Sequence, residues 1–476
     1  MSHFFSKTLS FVFALCLVIA LSWPSLAPRH NSEAADLRGE AIWTHDPSRI
    51  IESGGKYYVF TTGDNLPVKT STDLVNWTKG PSVLPKVPDW ARKAVPAAKT
   101  DFVWAPDVIL LGGKYYLYYS FSTFGSIVSV TGLLTSPTLD PANPAYKWTD
   151  EGLVVASREG SDFNAIDPAP ILDAQGDLWM TIGSWNKGGI KLFKMDKTTG
   201  KIIGKAQTIA AGQATGPEAP YLHYRDGYYY LFENEGTCCA GLNSSYRIMM
   251  GRSKTVTGPY LDRDGKDLAK GGGSPFLASD GEKVGPGHIG IVRANGLDYF
   301  TFHFYDGRTN GVPTLGMQSV VWGPDGWPSA GADLRPGRYA IVSRASGQAL
   351  GIYNNNFADG TPLDQAPYRG GPTQQWNVSP TGDGYYGISS MGSAKWIDLN
   401  ECSAKDGTKI GHYPWFNNDC QRWRIEQVGP DTYRIISKGE KTALTLPGGV
   451  QTPQAQVQGW AWQGDVSQQW IFQPLP

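Results

Sequence analysis

Three tryptophans, Trp376, Trp423 and Trp470, stand 47 residues apart in the last third of a 476-residue chain. Each closes a Gln-x-Trp tripeptide: Gln374-Gln375-Trp376, Gln421-Arg422-Trp423 and Gln468-Gln469-Trp470. Tyr339, Tyr386 and Tyr433 keep the same step of 47. An unbroken threefold period of that length confines the segment past Leu334 to three stacked copies of one supersecondary unit, none of which buries its apolar face alone.

A second, looser repeat runs upstream. Gly-rich turns lead into aromatic or β-branched stretches at Gly54-Gly55-Lys56-Tyr57-Tyr58-Val59-Phe60, Gly112-Gly113-Lys114-Tyr115-Tyr116-Leu117-Tyr118 and Gln175-Gly176-Asp177-Leu178-Trp179-Met180. Two more follow, at Asp226-Gly227-Tyr228-Tyr229-Tyr230-Leu231-Phe232 and Asn295-Gly296-Leu297-Asp298-Tyr299-Phe300. Turn residues ahead of such runs signal hairpins. The first glycines of successive copies lie 58, 64, 51 and 69 residues apart, spacings that suit propeller blades with unequal loops. A five-bladed β-propeller is expected, with a double-sheet β-sandwich as the competing all-β arrangement. The 57 glycines, 33 prolines and 12% aromatic residues, against 18% charged, favour turns and strands over helices. A formal net charge of −1 gives no electrostatic basis for binding nucleic acid or an anionic membrane and leaves a neutral polymer as the easier partner.

Lys7 precedes an apolar run from Leu9 to Leu21, with small residues at Ser25-Leu26-Ala27 and Ser32-Glu33-Ala34. The run is short for a membrane span, so residues 1–35 are expected to be a signal peptide, and the mature protein to be secreted and free of the membrane. Export leaves four cysteines in an oxidising compartment. Cys402 and Cys420 share one segment and are expected to form a disulfide. Cys238 and Cys239 are adjacent, either as two buried thiols or as a vicinal disulfide stiffening a loop.

Three acids stand beside prolines, in His45-Asp46-Pro47, Ile166-Asp167-Pro168 and Pro217-Glu218-Ala219-Pro220, each in a different copy of the hairpin repeat. Glycosidic cleavage needs one carboxylate as base and one carboxylic acid to protonate the leaving oxygen. A proline pushes the residue before it toward extended backbone, so these acids are expected at strand ends.

The Gln-x-Trp domain resembles the ricin-type β-trefoil lectins, or carbohydrate-binding module family 13. The fold expected is thus all-β, a five-bladed β-propeller over residues 36–333 followed by a β-trefoil over residues 334–476. In that lectin family an Asp and a stacking aromatic form each sugar pocket. These positions fall at Gly351 and Ala366, at Asp398 and Tyr413, and at Thr445 and Trp460. The resemblance therefore implies one sugar site on Asp398 and Tyr413, with Trp460 as a platform lacking its acid.

The upstream segment, from His45 to about Pro328, resembles glycoside hydrolase family 43 and within it the endo-α-1,5-L-arabinanases. The matching stretches include His45-Asp46-Pro47-Ser48, Trp104-Ala105-Pro106-Asp107-Val108, Asn164-Ala165-Ile166-Asp167-Pro168, Glu218-Ala219-Pro220, Cys238 to Tyr246, Gly285-Pro286-Gly287-His288 and Asp325-Gly326-Trp327-Pro328. The resemblance implies inversion, with Asp46 as general base, Glu218 as general acid, and Asp167 orienting the acid and raising its pKa by like-charge proximity. Inverting pairs stand about 6.5–9.5 Å apart. It also implies that His288 lies near one structural calcium ion or a water cluster in the channel, and that Trp104, Phe124 and Trp185 line the substrate cleft. The partner implied is plant cell-wall polysaccharide, namely arabinan and pectin side chains. Alternatives are an exo-acting α-L-arabinofuranosidase or β-xylosidase of the same family, or an inactive sugar-binding protein. Two stretches depart from the arabinanase pattern, Gly183 to Ile190 and Phe232 to Thr237, and both are expected on loops at the cleft rim.

Overall fold

The computed structural model describes residues 37–39, 42–186, 188–212, 216–294, 297–331, 334–381, 385–429, 431–438 and 442–475. The proposed leader lies outside them. Glu33–Pro476 forms one compact unit.

Five antiparallel sheets follow one another along the chain. The first contains Ile51–Ser53, Lys56–Phe60, Val68–Ser71 and Thr78–Lys79, and the second Phe102–Leu111, Lys114–Phe121, Ser129–Ser136 and Thr149–Ser157, with Gly63–Asp64 on its edge. The third runs through Ala169–Leu172, Leu178–Ile182, Ile190–Met195 and Gln207–Ala210. The fourth runs through Glu218–Arg225, Tyr228–Glu235, Arg247–Ser253 and Ser274–Leu277, and the fifth through Lys283–Ala294, Leu297–Asp306, Val312–Trp322 and Pro328–Ala330. These are the blades of a five-bladed propeller, and in the first four a Gly-rich turn joins the first and second strands, while Asn295-Gly296 lies outside the described residues. The circle closes through the N-terminal stretch. Thr44 N–H donates to Pro313 O, Leu315 N–H donates to Ile42 O, and Trp43 bridges Thr314 in the fifth blade.

Each blade enters the axis through one residue in left-handed backbone: Asp46 (φ 44°), Ala105 (39°), Asp167 (58°), Ala219 (46°) and His288 (61°). The extended conformation expected before Pro47 and Pro168 is therefore not what Asp46 and Asp167 adopt. The local preference is overridden because the amide of the left-handed residue is tied to the blade before it. Ala105 N–H donates to Thr62 Oγ1 (2.8 Å), Asp167 N–H to Ser120 Oγ (3.0 Å), His288 N–H to Asn234 Oδ1 (3.0 Å) and Asp46 N–H to His303 Nδ1 (3.2 Å). Left-handed non-glycine residues cost about 1–3 kcal/mol each and persist only where their surroundings impose them.

At the axis Arg49 joins four blades. Its Nε donates to both carboxylate oxygens of Asp107 at 3.0 Å, its Nη2 donates to Pro170 O, and its guanidinium lies 5.0 Å from the Tyr221 ring centroid. The fifth blade comes equally close, since a Cβ on Gly290 would sit 2.5 Å from Arg49 Cα.

The C-terminal domain has twelve strands. Six of them, Gly337–Ser343, Trp376–Pro380, Tyr386–Ser390, Trp423–Gly429, Thr432–Ser437 and Trp470–Pro474, pair in a closed ring. The other six form three hairpins, so the fold is the β-trefoil. The repeated tryptophans are fully buried, and their indole N–H groups donate to Leu350 O (3.0 Å), Ile397 O (3.2 Å) and Leu444 O (2.8 Å), again at a step of 47. The repeated glutamines accept from Arg369, Phe416 and Gln463 N–H, pinning the same loop in each copy. Cys402 and Cys420 form a disulfide with Cα atoms 4.6 Å apart.

The two domains meet on a buried charge cluster. Glu426 pairs with Arg424 (2.9 Å) and Arg434 (2.7 Å) of the trefoil, and accepts from Tyr299 Oη of the propeller at 2.6 Å. Arg434 Nη2 donates to Tyr299 Oη (2.7 Å), and Arg424 Nη1 donates to Asp73 O (3.2 Å). Burial alone would raise the Glu426 carboxyl, but the two guanidinium groups pull it down to about 2. Its contribution to stability is complete above the ordinary carboxylate value and is lost as pH falls toward 2. Glu426→Gln is expected to cost about 3–5 kcal/mol at pH 7 in urea unfolding, since it leaves two buried cations uncompensated. The difference from wild type should shrink as pH approaches 2, and a pH-independent difference would contradict this assignment.

Candidate active site

The left-handed entry residues and those just before them face the same end of the propeller, because every first strand begins there. Asp46 and Asp167 occupy the left-handed position in blades one and three. Glu218 precedes that position in blade four, where Ala219 takes it. Trp104 holds in blade two the place that Glu218 holds in blade four, and His288 holds the left-handed place in blade five.

Three histidines surround Asp46. His45 Nδ1 is 2.8 Å from Asp46 Oδ2, while His303 Nδ1 and His288 Nδ1 lie 3.5 and 3.6 Å from Asp46 Oδ1. Thr62 Oγ1 donates to Oδ2 at 2.7 Å. Burial opposes ionisation of Asp46, yet the imidazoles outweigh it and hold the carboxyl far below the usual range. The other two acids move the opposite way. Burial, and then the charges of Asp46 and Glu218, raise Asp167 well above its ordinary value. Burial also raises Glu218 to about 7 against the opposing hydrogen bond from Tyr246, with the Asp46 charge adding to the rise. The sequence reading assigned the rise at Glu218 to Asp167. Burial is the largest cause, and the charge that adds to it is that of Asp46. Asp46 is thus the most readily ionised of the three, while burial favours the protonated forms of Asp167 and Glu218.

Asp167 reaches toward the acid through the backbone. Ala219 N–H donates to Asp167 Oδ2 at 3.2 Å, and Ser184 bonds the same carboxyl. In the other blades that amide is held by a side chain of the preceding blade, so Asp167 takes the place that Ser184 would otherwise fill. Tyr246 Oη donates to Glu218 Oε2. Its ring is accommodated because residue 287 is glycine, where a Cβ would sit 2.3 Å from the ring.

The cleft candidates share this end. Trp104 is half-buried, Phe124 is 82% exposed on the loop after Lys114–Phe121, and Trp185 is 51% exposed on the loop after Leu178–Ile182. Lys187, in the longer departing stretch, lies outside the described residues. Trp43 was not anticipated, and is 70% exposed just ahead of His45. Cys238 and Cys239 are bonded on the loop after Tyr228–Glu235 at the same end. The acid paired with His288 is Asp46, which is also ion-paired with His45 and His303. Calcium prefers six to eight oxygen ligands, so these side chains alone do not make a calcium cage.

His45, Thr62, Tyr246 and His303 escaped the sequence reading, although a signal for two of them was present. Thr62, Ser120, Ser184, Asn234 and His303 follow the left-handed residue of their blade by 16, 15, 17, 15 and 15 positions.

In the trefoil, Asp398 stands opposite Gly411 and Trp396 opposite Tyr413, so Asp398 and Tyr413 are diagonal neighbours on one face. Burial raises Asp398 to about 6, opposed by a hydrogen bond from Gln421. Trp460 is half-buried and donates to Gln458 Oε1 at 3.3 Å. The first repeat has an acid after all, on the facing strand, where buried Asp364 stands in register with Gly351.

Residues 41–328 match the sequence profile of Glycosyl hydrolases family 43. The chain belongs to glycosyl hydrolases family 43. Residues 327–413 and 419–476 match the ricin-type beta-trefoil lectin domain-like profile. The chain is 40% identical over 320 residues to an extracellular endo-alpha-(1->5)-L-arabinanase of Bacillus subtilis, covering 66% of this chain and 94% of that protein. It is 39% identical over 300 residues to an extracellular exo-alpha-(1->5)-L-arabinofuranosidase of Cellvibrio japonicus, covering 60% and 85% respectively. Among solved structures, an exo-1,5-alpha-L-arabinanase from a bovine ruminal metagenomic library superposes with a TM-score of 0.59 at 41% identity, covering 62% of this chain and 99% of that one. The family 43 domain is a glycoside hydrolase, and its three acids meet in the mouth just described.

Tyr246→Phe removes the hydrogen bond that favours the Glu218 carboxylate. The Glu218 carboxyl is expected to titrate above 7 in this variant, read by infrared difference spectroscopy of the protonated carboxyl stretch. A titration point that stays put or falls would contradict the assignment.

Proposed function

We propose that the protein is a secreted, inverting endo-hydrolase of α-1,5-linked L-arabinan, with a trefoil that holds the enzyme on plant cell-wall polysaccharide. The observation that carries the reading is the meeting of three buried acids in one mouth, with Asp46 among three histidines, Glu218 bonded by Tyr246, and Asp167 bonded by Ala219 N–H beside Glu218. Asp46, ionised by its histidines, takes a proton from water as the water attacks the anomeric carbon. Glu218, protonated up to about 7, gives its proton to the leaving oxygen. Asp167 fixes the backbone beside Glu218 through Ala219 N–H. Base and acid sit on blades one and four, and inversion requires a separation that admits a water on the far side of the sugar. Trp104, Phe124 and Trp185 offer ring faces to furanose C–H groups.

Exo action is the second reading, favoured by the exo-acting relative at nearly the same identity as the endo-acting one. Sugar binding by Asp398 and Tyr413 completes the proposal, with the carboxylate accepting from sugar hydroxyls and the ring packing on a C–H face.

A time course of products from linear arabinan tests the reading. A ladder of short oligosaccharides is expected, reduced about 10²–10⁴-fold by Glu218→Ala. Monomer alone would favour the exo reading, and release that persists in the variant would refute Glu218 as the acid. On insoluble arabinan, Asp398→Ala should elute earlier yet keep full activity on soluble oligosaccharides, and unchanged retention would refute the trefoil site.

A further inference from the structure

A linked set of groups runs from Asp46 out to the rim of the mouth. Asp46 Oδ2 is 2.8 Å from His45 Nδ1, His45 Nε2 is 2.8 Å from Tyr305 Oη, and Tyr305 Oη accepts from Cys239 N–H at 2.8 Å. The sulfurs of the Cys238–Cys239 disulfide rest on the same two side chains. Cys238 Sγ lies 3.9 Å from His45 Nε2 and 3.7 Å from Tyr305 Oη, and Cys239 Sγ lies 3.9 Å from His45 Nε2. On its other side His45 stacks on buried His303, with ring centroids 3.9 Å apart. Cys239 is exposed, so the series begins in solvent and ends on the carboxylate.

We propose that Tyr305 and His45 are positioning residues for Asp46, and that the Cys238–Cys239 disulfide clasps them, so that a dithiol in the medium lowers turnover by opening it. The inference rests on the reading of Asp46 as base. Bonding adjacent residues through sulfur closes a small ring around their peptide, which holds Cys239 in left-handed backbone at φ 65° and aims its N–H at Tyr305. Without the bond an ordinary residue has no reason to stay there. The amide then leaves Tyr305 Oη, which Ser244 also bonds, and the His45 ring is held less firmly against Asp46.

The opening step is thiol–disulfide exchange. A thiolate of the dithiol attacks Cys239 Sγ, the Cys238 sulfur leaves as thiolate and takes a proton, and the second thiol of the reagent displaces Cys239. Two electrons and two protons pass to the protein, and the dithiol departs as its cyclic disulfide.

The test measures kcat and KM on linear α-1,5-arabino-oligosaccharides before and after dithiothreitol, with alkylation and mass spectrometry reporting which cysteines opened. Reduction at Cys238 and Cys239 is expected to lower kcat about tenfold or more while KM stays within about twofold, as for misplacement of a reacting group. Reoxidation should restore kcat. The Cys402→Ser/Cys420→Ser variant should respond like wild type. The Cys238→Ser/Cys239→Ser variant should be slow and indifferent to dithiothreitol, and Tyr305→Phe should lower kcat at unchanged KM. Full kcat with both rim cysteines alkylated, or in their serine variant, would overturn the inference. Asp46→Ala separates the two failures. If it is inert while rim reduction is harmless, the clasp alone is refuted, and if it retains kcat, the reading of Asp46 as base is refuted as well.

Discussion

The structure depends on five residues held in left-handed backbone where the blades enter the axis, each with its amide fixed by a different blade. That constraint closes the ring, since His303 of the fifth blade holds Asp46 of the first, and it places two of the three acids in the mouth. The strain at Asp46 and Asp167 is maintained by neighbours on other blades, which is how local cost becomes pre-organisation at a reacting centre. Arg49 adds a second tie below the acids, through Asp107, Pro170 O and Tyr221.

The same geometry distributes charge. Burial raises Asp167 and Glu218, whereas at Asp46 it is outweighed, first by the charge and hydrogen bond of His45 and then by His288 and His303. His45, His288 and His303 surround Asp46 alone, whereas Glu218 has a neutral phenol as its partner and Asp167 has a hydroxyl and a backbone N–H. The opposite shifts of Asp46 and of the other two acids follow from burial and placement rather than from intrinsic differences between Asp and Glu.

Much of this was legible in the chain. The step of 47 located the tryptophans whose indoles hold the trefoil hairpins, and the five Gly-rich turns marked the first hairpin of each blade. The acids were visible because each stands beside a proline in a separate repeat. The backbone of Asp46 and Asp167 differs from the expected one, because the effect of a following proline is local and the hydrogen bonds their amides donate to His303 and Ser120 are not. Tyr246, His45 and Tyr305 lay hidden for a related reason, since their contacts join segments 28 to 260 residues apart. In the trefoil, buried Asp364 of the first repeat stands on the strand facing Gly351, a position that alignment on the tryptophan does not bring out.

The central claim is that Asp46 activates water and does not itself attack the sugar. Proton NMR of the anomeric region during hydrolysis of an α-1,5-linked arabino-oligosaccharide tests it directly. The account predicts that the newly formed reducing end appears first as the β-anomer and then equilibrates. An α-anomer appearing first would mean that a carboxylate had formed a covalent intermediate, and would contradict the account.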